Sequence, residues 1–551
     1  MNNEHPLSPL RVLRRALGTL AYKTPFYDLA LRGNIPSALA FLPPDPWPGN
    51  AATGRAIIAG QFHTSGFSFF TAYTKTLWHV DAGMGEAPLA ALHSFSFLHD
   101  LRAAGGDDAR IMARSLVSSW IDAHGGWQER TWRPDILARR ISVWISLHDF
   151  YCASADDAFR SQVFLSLSQQ LRHLSRAAAD CPPGIATLSV IKALCYGGLC
   201  FPAEEARLVQ GLRLLEGELR TQILPDGGHV SRDPEQLLTA LIDLIDIRTA
   251  LRAAKRPVPE TLGHAIERMV PALRFFRHGD GGLALFNGAN EGMPMLIDMA
   301  LAQADIRGRP LRSATASHFE RISLGKTLLL VDTGAPPRIP AASGAHAGTF
   351  SFEMSIGRQR LITNCGSTSL PGEWPLVLRG TAAHSTLIMA DINSSSIMPG
   401  TRKPASTQVR REDADGIITL EGSHDGYKRP LGMIHTRKII LENSGETLSG
   451  EDTLEGPIGQ PFTIRFHLHP DVIASSLTGG DVLLRLPSGM GWRFHSEGVT
   501  AEIEDSVYFG APDSPRKTHQ ITLSGTTGHK ETKTFWRLSH EARKPKTEAG
   551  E

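Results

Sequence analysis

Three segments in the C-terminal half decide how this chain is read: GAHAGTFSFE at 344–353, GRQRLITNCGS at 357–367 and RGTAAHSTLIMAD at 379–391. Each is a short, strand-like run bounded by Gly, Asn or Asp. They carry His346, Asn364, Cys365 and His384. Two imidazoles and an amide on neighbouring strands form a candidate zinc set: His346, Asn364 and His384. Such a set lacks an anionic ligand, which a Cys365 thiolate would restore. Strand alternation argues against that, because Asn364 and Cys365 should point to opposite faces. One structural zinc ion held by this set is one of two open readings. The alternative is a metal-free cluster in which Asn364 bridges the histidines.

The same pattern extends outward from these segments. HFERISLGKTLLLVDTG at 318–334, GIITLEGS at 416–423, FTIRFHLHP at 462–470 and DVLLRLPSG at 481–489 are short apolar or alternating runs. Turn signals recur about every ten residues, as in an antiparallel sandwich. Upstream the period changes. DDARIMARSLVSSWIDAH at 107–124, PDILARRISVWISLHDFYCA at 134–153 and PEQLLTALIDLIDIRTALRAA at 234–254 repeat their apolar residues three and four apart. Pro134, Pro202, Pro234 and Pro259 fall near helix starts, where a missing N–H costs nothing. The reading is an α+β multidomain chain. An incomplete (α/α) toroid spans 1–312, an antiparallel β-sandwich spans 313–540, and a flexible charged tail spans 541–551.

A length of 551 residues exceeds one ordinary core. A net charge of +1 supplies no global field, so nucleic acid is not an expected partner. No run approaches the roughly 20 apolar residues of a membrane span. Five cysteines without a CxxC pair favour a reducing compartment, and no convincing signal peptide is visible. The expected location is the cytoplasm, with the periplasm or cell envelope as the alternative. Leu10, Leu13, Leu17 and Leu20 share a helical face opposite Arg11, Arg14 and Arg15. That helix either packs on its domain or lies on a membrane surface.

Further motifs carry a family resemblance. They are LWHVDAG, LHSFSFLHDL, TWRPDILARRISVWI and LPDGGHVSRDP in the first half, and the two histidine segments, HDGYKRPLGMIHTRKIIL and LSGEDTLEG in the second. In this order the chain resembles the heparinase II/III-like polysaccharide lyases. The resemblance implies β-elimination on a uronate-containing, acidic glycan. That chemistry needs carboxylate neutralisation, a base for the C5 proton and an acid for the leaving oxygen. Carried over position by position, Asp226, Gly227, Gly228, His229 and Arg232 match the family's Asp-Gly-Gly-His region. The family's tyrosine falls near Gln236, and its Asn-His pair falls near Ile185 and Ala186. In the first histidine segment the family's first His falls near Gly344, its second is His346, and its Asp is Gly348. The later Asp is Asn364 and the later His is His384.

The candidate catalytic residues are therefore His229, Tyr427 and His384, with Arg232, Arg139 and Arg140 for the substrate carboxylate. His229 otherwise belongs to a simple turn, and Tyr427 otherwise packs at a sheet edge. Of Arg139 and Arg140, one faces the toroid's interior and the other solvent. Trp127, Trp132 and Trp144 are expected in the core. Three functions follow: a lyase on an acidic polysaccharide, a catalytically degenerate carbohydrate-binding or scaffold protein, or a toroid glycoside hydrolase. The last requires two opposed carboxylates, which the sequence does not single out.

Overall fold

The computed structural model describes residues 18–541 apart from 19, 25, 65–66, 71–73, 79–84, 182–183, 338–343, 398–405 and 512–513. The stretch bearing Leu10, Leu13 and Leu17, most of LWHVDAG, and the tail from 542 lie outside the described residues. The chain forms two compact units. One comprises the residues up to 223 with 239–267 and 299–305; the other comprises 224–238, 268–298 and 306 onward. Two stretches of the first half therefore pack with the sandwich unit.

The first unit is helical. In helix Gly106–His124, Ala109, Ala113, Leu116, Val117, Trp120 and His124 are buried, and the spacing places them on one stripe. Asp107 and Asp108 sit in its first turn, where the helix dipole favours them. Helix Pro134–Ser146 starts on its proline and buries Ile136, Leu137, Ile141, Trp144 and Ile145. Helices Ile185–Cys200 and Glu205–Gln222 form a tight hairpin. Gly198 permits it: a Cβ there would lie 2.3 Å from the Leu208 nitrogen. Trp78, Trp120, Trp132 and Trp144 centre the core. A polar clasp crosses it. Lys192 meets Asp243 at 2.5 Å and Asp246 at 3.2 Å, and Trp47 Nε1 donates to Asp246 at 2.7 Å.

The second unit is a sandwich of two antiparallel sheets. One runs in the order 473–476, 482–485, 491–497, 531–541, 447–455, 434–442, 417–424, 407–414. The other runs 501–508, 516–526, 461–468, 359–363, 352–356, 327–332, 319–324, 313–314, with 387–389 pairing to 461–468. Strand Ile434–Glu442 alternates buried and half-buried residues, the signature of one face on a core. Strand Phe352–Ile356 is buried throughout. Phe352, Met354 and Ile356 join the apolar core, and by alternation Glu353 and Ser355 face away from it.

A polar network is sealed inside the sandwich around Asp452. Arg437 reaches its carboxylate through Nε at 2.7 Å and Nη2 at 3.0 Å, and Trp536 Nε1 donates at 2.9 Å. His435 Nε2 lies 2.7 Å from Asp452 Oδ1, and His424 Nε2 lies 3.0 Å from His435 Nδ1. The Gly426 N–H donates to His424 Nδ1, which fixes the direction of the whole chain. His424 Nε2–H donates to His435 Nδ1, and His435 Nε2–H donates to Asp452. Both imidazoles are neutral in this arrangement. Burial alone would raise the Asp452 carboxyl, but Arg437 and the His435 hydrogen bond hold it well below the usual carboxylate range. Replacing Asp452 with Ala strands the Arg437 guanidinium without its counter-ion. The expected cost is about 3–5 kcal/mol, read as a lower denaturant midpoint of the sandwich unit; an unchanged midpoint would refute the assignment.

Candidate functional site

His346 and His384 do meet. His346 Nδ1 lies 3.1 Å from His384 Nε2, and the rings are edge to face at 5.1 Å. His384 Nδ1 lies 2.8 Å from the Gly380 carbonyl, which can only accept. The proton is therefore on Nδ1 of His384, its Nε2 accepts, and His346 Nδ1 donates. Both rings are neutral and buried. Burial pushes His384 down to about 4, and burial followed by the neighbouring imidazole lowers His346.

Asn364 does not complete a metal site with them. Its Nδ2 donates to Glu353 Oε1 at 3.2 Å, and its Oδ1 accepts from the Ser385 N–H at 3.0 Å. It clamps the backbone beside His384 instead of bridging the imidazoles. Cys365 points elsewhere, 3.5 Å from His467 Nδ1, as alternation requires. Burial pushes that thiol up to about 12, far from a thiolate. At the position of the family's aspartate, a Cβ on Gly348 would lie 2.7 Å from His384 Cδ2, so the imidazole takes up that space. Among the described residues no group of three His, Cys, Asp or Glu could hold a metal. The donor set of His346, Asn364 and His384 does not fit zinc.

The LPDGGHVSRDP segment, 224–234, is held as tightly. Asp226 accepts from the Ser317 N–H at 2.7 Å and Ser317 Oγ at 2.9 Å. Gly227 has φ +83, and a Cβ there would lie 2.0 Å from the Arg268 carbonyl, so only glycine suits both constraints. His229 is buried, and its Nδ1 accepts from the Ser231 N–H at 3.2 Å. Burial pushes its imidazole down to about 4. Arg232 corrects the expectation of a substrate clamp. It is 6% exposed, donates to the carbonyls of Ser317, His318 and Ala335, and pairs with Asp332. Its guanidinium is a strut between segments.

Asp233 and Asn287, neither of them a candidate from the sequence, organise this region. Asp233 caps helix Pro234–Ala253: its Oδ1 accepts from the Glu235 N–H at 2.8 Å and the Gln236 N–H at 3.2 Å. Gln236 folds its amide back onto Asp233 Oδ2 at 3.0 Å. Burial, then the Glu235 charge, pushes the Asp233 carboxyl up to about 7. The Asp-Pro pair at a helix start was the available signal. Asn287 joins two segments: its amide donates to the Arg232 carbonyl at 3.2 Å, and its Oδ1 accepts from the His346 N–H at 3.3 Å. Arg232, Asn287, His318 and Phe350 all have positive φ, between 51 and 59. Strain of this kind marks an over-determined region.

The remaining candidates are also placed. Tyr427 is fully buried, and its hydroxyl donates to the Leu387 carbonyl at 2.8 Å, so it is a core residue and not a sheet-edge or cleft tyrosine. In the helical unit Arg140 is fully buried, stacks 4.0 Å over Trp120 and donates to Gln170 Oε1 at 2.8 Å. Its neighbour Arg139 is exposed. One arginine faces inward, but into packed core and not onto a sugar. Trp132 and Trp144 are core residues.

The depressed imidazoles make this region acid-sensitive. Their folded values lie below the unfolded value of about 6.5, so the stability they contribute is present above that pH and is lost as pH falls. His384 and His229, both near 4, should each remove ~1.4 kcal/mol per pH unit between about 6.5 and 4. Thermal melts from pH 7 to pH 5 should show a falling midpoint, with a shallower slope in His384→Gln; equal slopes would refute it.

Known proteins share this architecture. The profile of the family described as "Heparinase II/III-like, C-terminal" matches residues 306–545. FtsZ-localized protein C of Caulobacter vibrioides (strain NA1000 / CB15N) is 33% identical over 511 residues, covering 89% of this chain and 88% of that protein. A heparinase III crystal structure superposes with a TM-score of 0.73 at 13% identity, covering 98% of this chain and 92% of that one. A mutant of the heparan sulfate lyase HepC from Pedobacter heparinus superposes with a TM-score of 0.61 at 16% identity, covering 90% and 83%. At these identities the two structures speak to the fold alone: helices followed by antiparallel sheets. With the curated relative, the family profile and the fold in agreement, this chain belongs to the heparinase II/III-like family.

Proposed function

We propose that this chain is a catalytically degenerate member of the lyase fold that works as a scaffold and localises with FtsZ. One observation carries the first half of this reading: the proton-transfer candidates are buried and engaged within the chain. His384 is spent on His346 and Gly380, and Tyr427 on the Leu387 carbonyl. The arginine that would neutralise a uronate is paired with Asp332. At the family's remaining positions stand Ile185 and Ala186, which cannot bind a carboxylate, and Gln236, which cannot act as acid or base. The name of the curated relative, FtsZ-localized protein C, supports the second half. A cytoplasmic location is part of the proposal and is supported by five free cysteines.

A second reading keeps β-elimination on an acidic glycan, favoured by the lyase fold. Two measurements separate them. Purified protein incubated with heparin, heparan sulfate, chondroitin sulfate, hyaluronan and alginate should release no ultraviolet-absorbing unsaturated uronate, while a heparinase III control does. A fluorescent fusion expressed in its own cells should coincide with labelled FtsZ. Unsaturated product that disappears in His384→Ala would overturn the non-catalytic reading, and a diffuse fusion would overturn the localisation.

A further inference from the structure

The sandwich unit carries a groove of about 540 Å³ that none of the networks above uses. Its walls follow from topology. Strands 491–497 and 531–541 are neighbours in one sheet, and 501–508 and 516–526 are neighbours in the other. The links 498–500 and 527–530 therefore both cross between the sheets, and the groove opens between them. Thr500 and His529 stand on the two links and Glu502 and Thr526 on the strand ends, with Phe462 and Lys533 also in the lining. The Phe462 ring lies across Gly525, where a Cβ would come within 2.8 Å of its Cζ; the glycine keeps that wall flat.

The chemistry of the lining selects a ligand class. Lys533 is the lining cation, and its ammonium is already held by Glu451 at 2.9 Å and Glu531 at 3.1 Å. With Glu502 also present, the groove offers no positive field to a sulfate, phosphate or uronate. Among the described residues the exposed side chains of Thr500, Glu502, Thr526 and His529 have no hydrogen-bond partner within the chain, and half-buried Val499 and Gly525 add apolar surface beside them. A sugar ring presents the complementary surface: hydroxyls around its edge and C–H groups on its face. The volume lies within the roughly 300–1,000 Å³ of small-molecule sites. We propose that this groove binds a neutral saccharide of one or two rings. The proposal stands apart from FtsZ localisation and from the lyase question.

Saturation-transfer NMR on the full chain tests it, with cellobiose and N,N′-diacetylchitobiose as neutral probes and glucuronate as the charged one. Gly528→Phe is the blocking variant, because a Cβ at Gly528 meets nothing within 4 Å and the ring can enter the groove without displacing its neighbours. Transfer to a neutral disaccharide, absent for glucuronate and weakened on the order of tenfold by Gly528→Phe at an unchanged melting temperature, is the expected result. If Gly528→Phe fails to fold, the double variant Thr500→Ala with Glu502→Gln decides, with a loss of about threefold or more expected. No transfer to either disaccharide, equal transfer to glucuronate, or transfer indifferent to the variant that decides would overturn the proposal.

Discussion

Glu353 has no exposed surface, and a carboxylate sealed from water must be met by donors from its own chain. The sandwich unit is arranged around that requirement. Oε1 accepts from the Leu285 N–H, the Asn364 N–H and Asn364 Nδ2, while Oε2 accepts from His278 Nε2. Those bonds draw the 278–285 segment against strand 352–356. They also turn the Asn364 amide so that its oxygen faces the Ser385 N–H. His384 is therefore placed by a carboxylate that never touches it. With its amide on Glu353 and its oxygen on Ser385, Asn364 makes no hydrogen bond to either imidazole.

The Asp452 network repeats the principle on the other side of the core. A buried ion pair gains little net stability, but breaking it is costly, so every donor must be supplied. Arg437 also donates through Nη1 to the carbonyls of Phe350 and Ser385. Ser385 thus lies under both networks, its N–H held by Asn364 and its carbonyl by Arg437. The histidine segment ending at Ser385 is fixed from two directions, and the left-handed Phe350 is held by Arg437 and Asp332. Neutral, tautomer-locked imidazoles fit such an interior because each offers one donor and one acceptor without bringing a charge. That is a structural use of histidine, and it competes with proton transfer, which needs a lone pair or a proton to spare.

The family's chemistry and this chain's packing draw on the same residue types, and here packing takes them. Arg232 illustrates the exchange. A guanidinium beside a glycine-rich turn is well suited to a uronate, yet three carbonyls and Asp332 already occupy its fork. Gln236 has a comparable fate: it extends the cap of helix Pro234–Ala253 through Asp233.

Local features were legible in the chain's own residue pattern. Apolar spacing of three to four residues gave the helices, alternation gave the strands, and a single strand's pleat already separated Asn364 from Cys365. The same spacing separated Arg139 from Arg140, although which one faced inward was open. Tertiary structure decided every question of partner. Residues 224–238 and 268–298 read as part of the helical half but pack with the sandwich, because Asp226 finds Ser317, Arg232 finds Asp332 and His278 finds Glu353. Tyr427 looked like a loop residue until the Leu387 carbonyl, 40 positions away, received its hydroxyl. Periodicity is written within one element, whereas the saturation of a buried donor or acceptor depends on segments a hundred residues apart or more, 199 for Trp47 and Asp246, and only the folded chain brings those together.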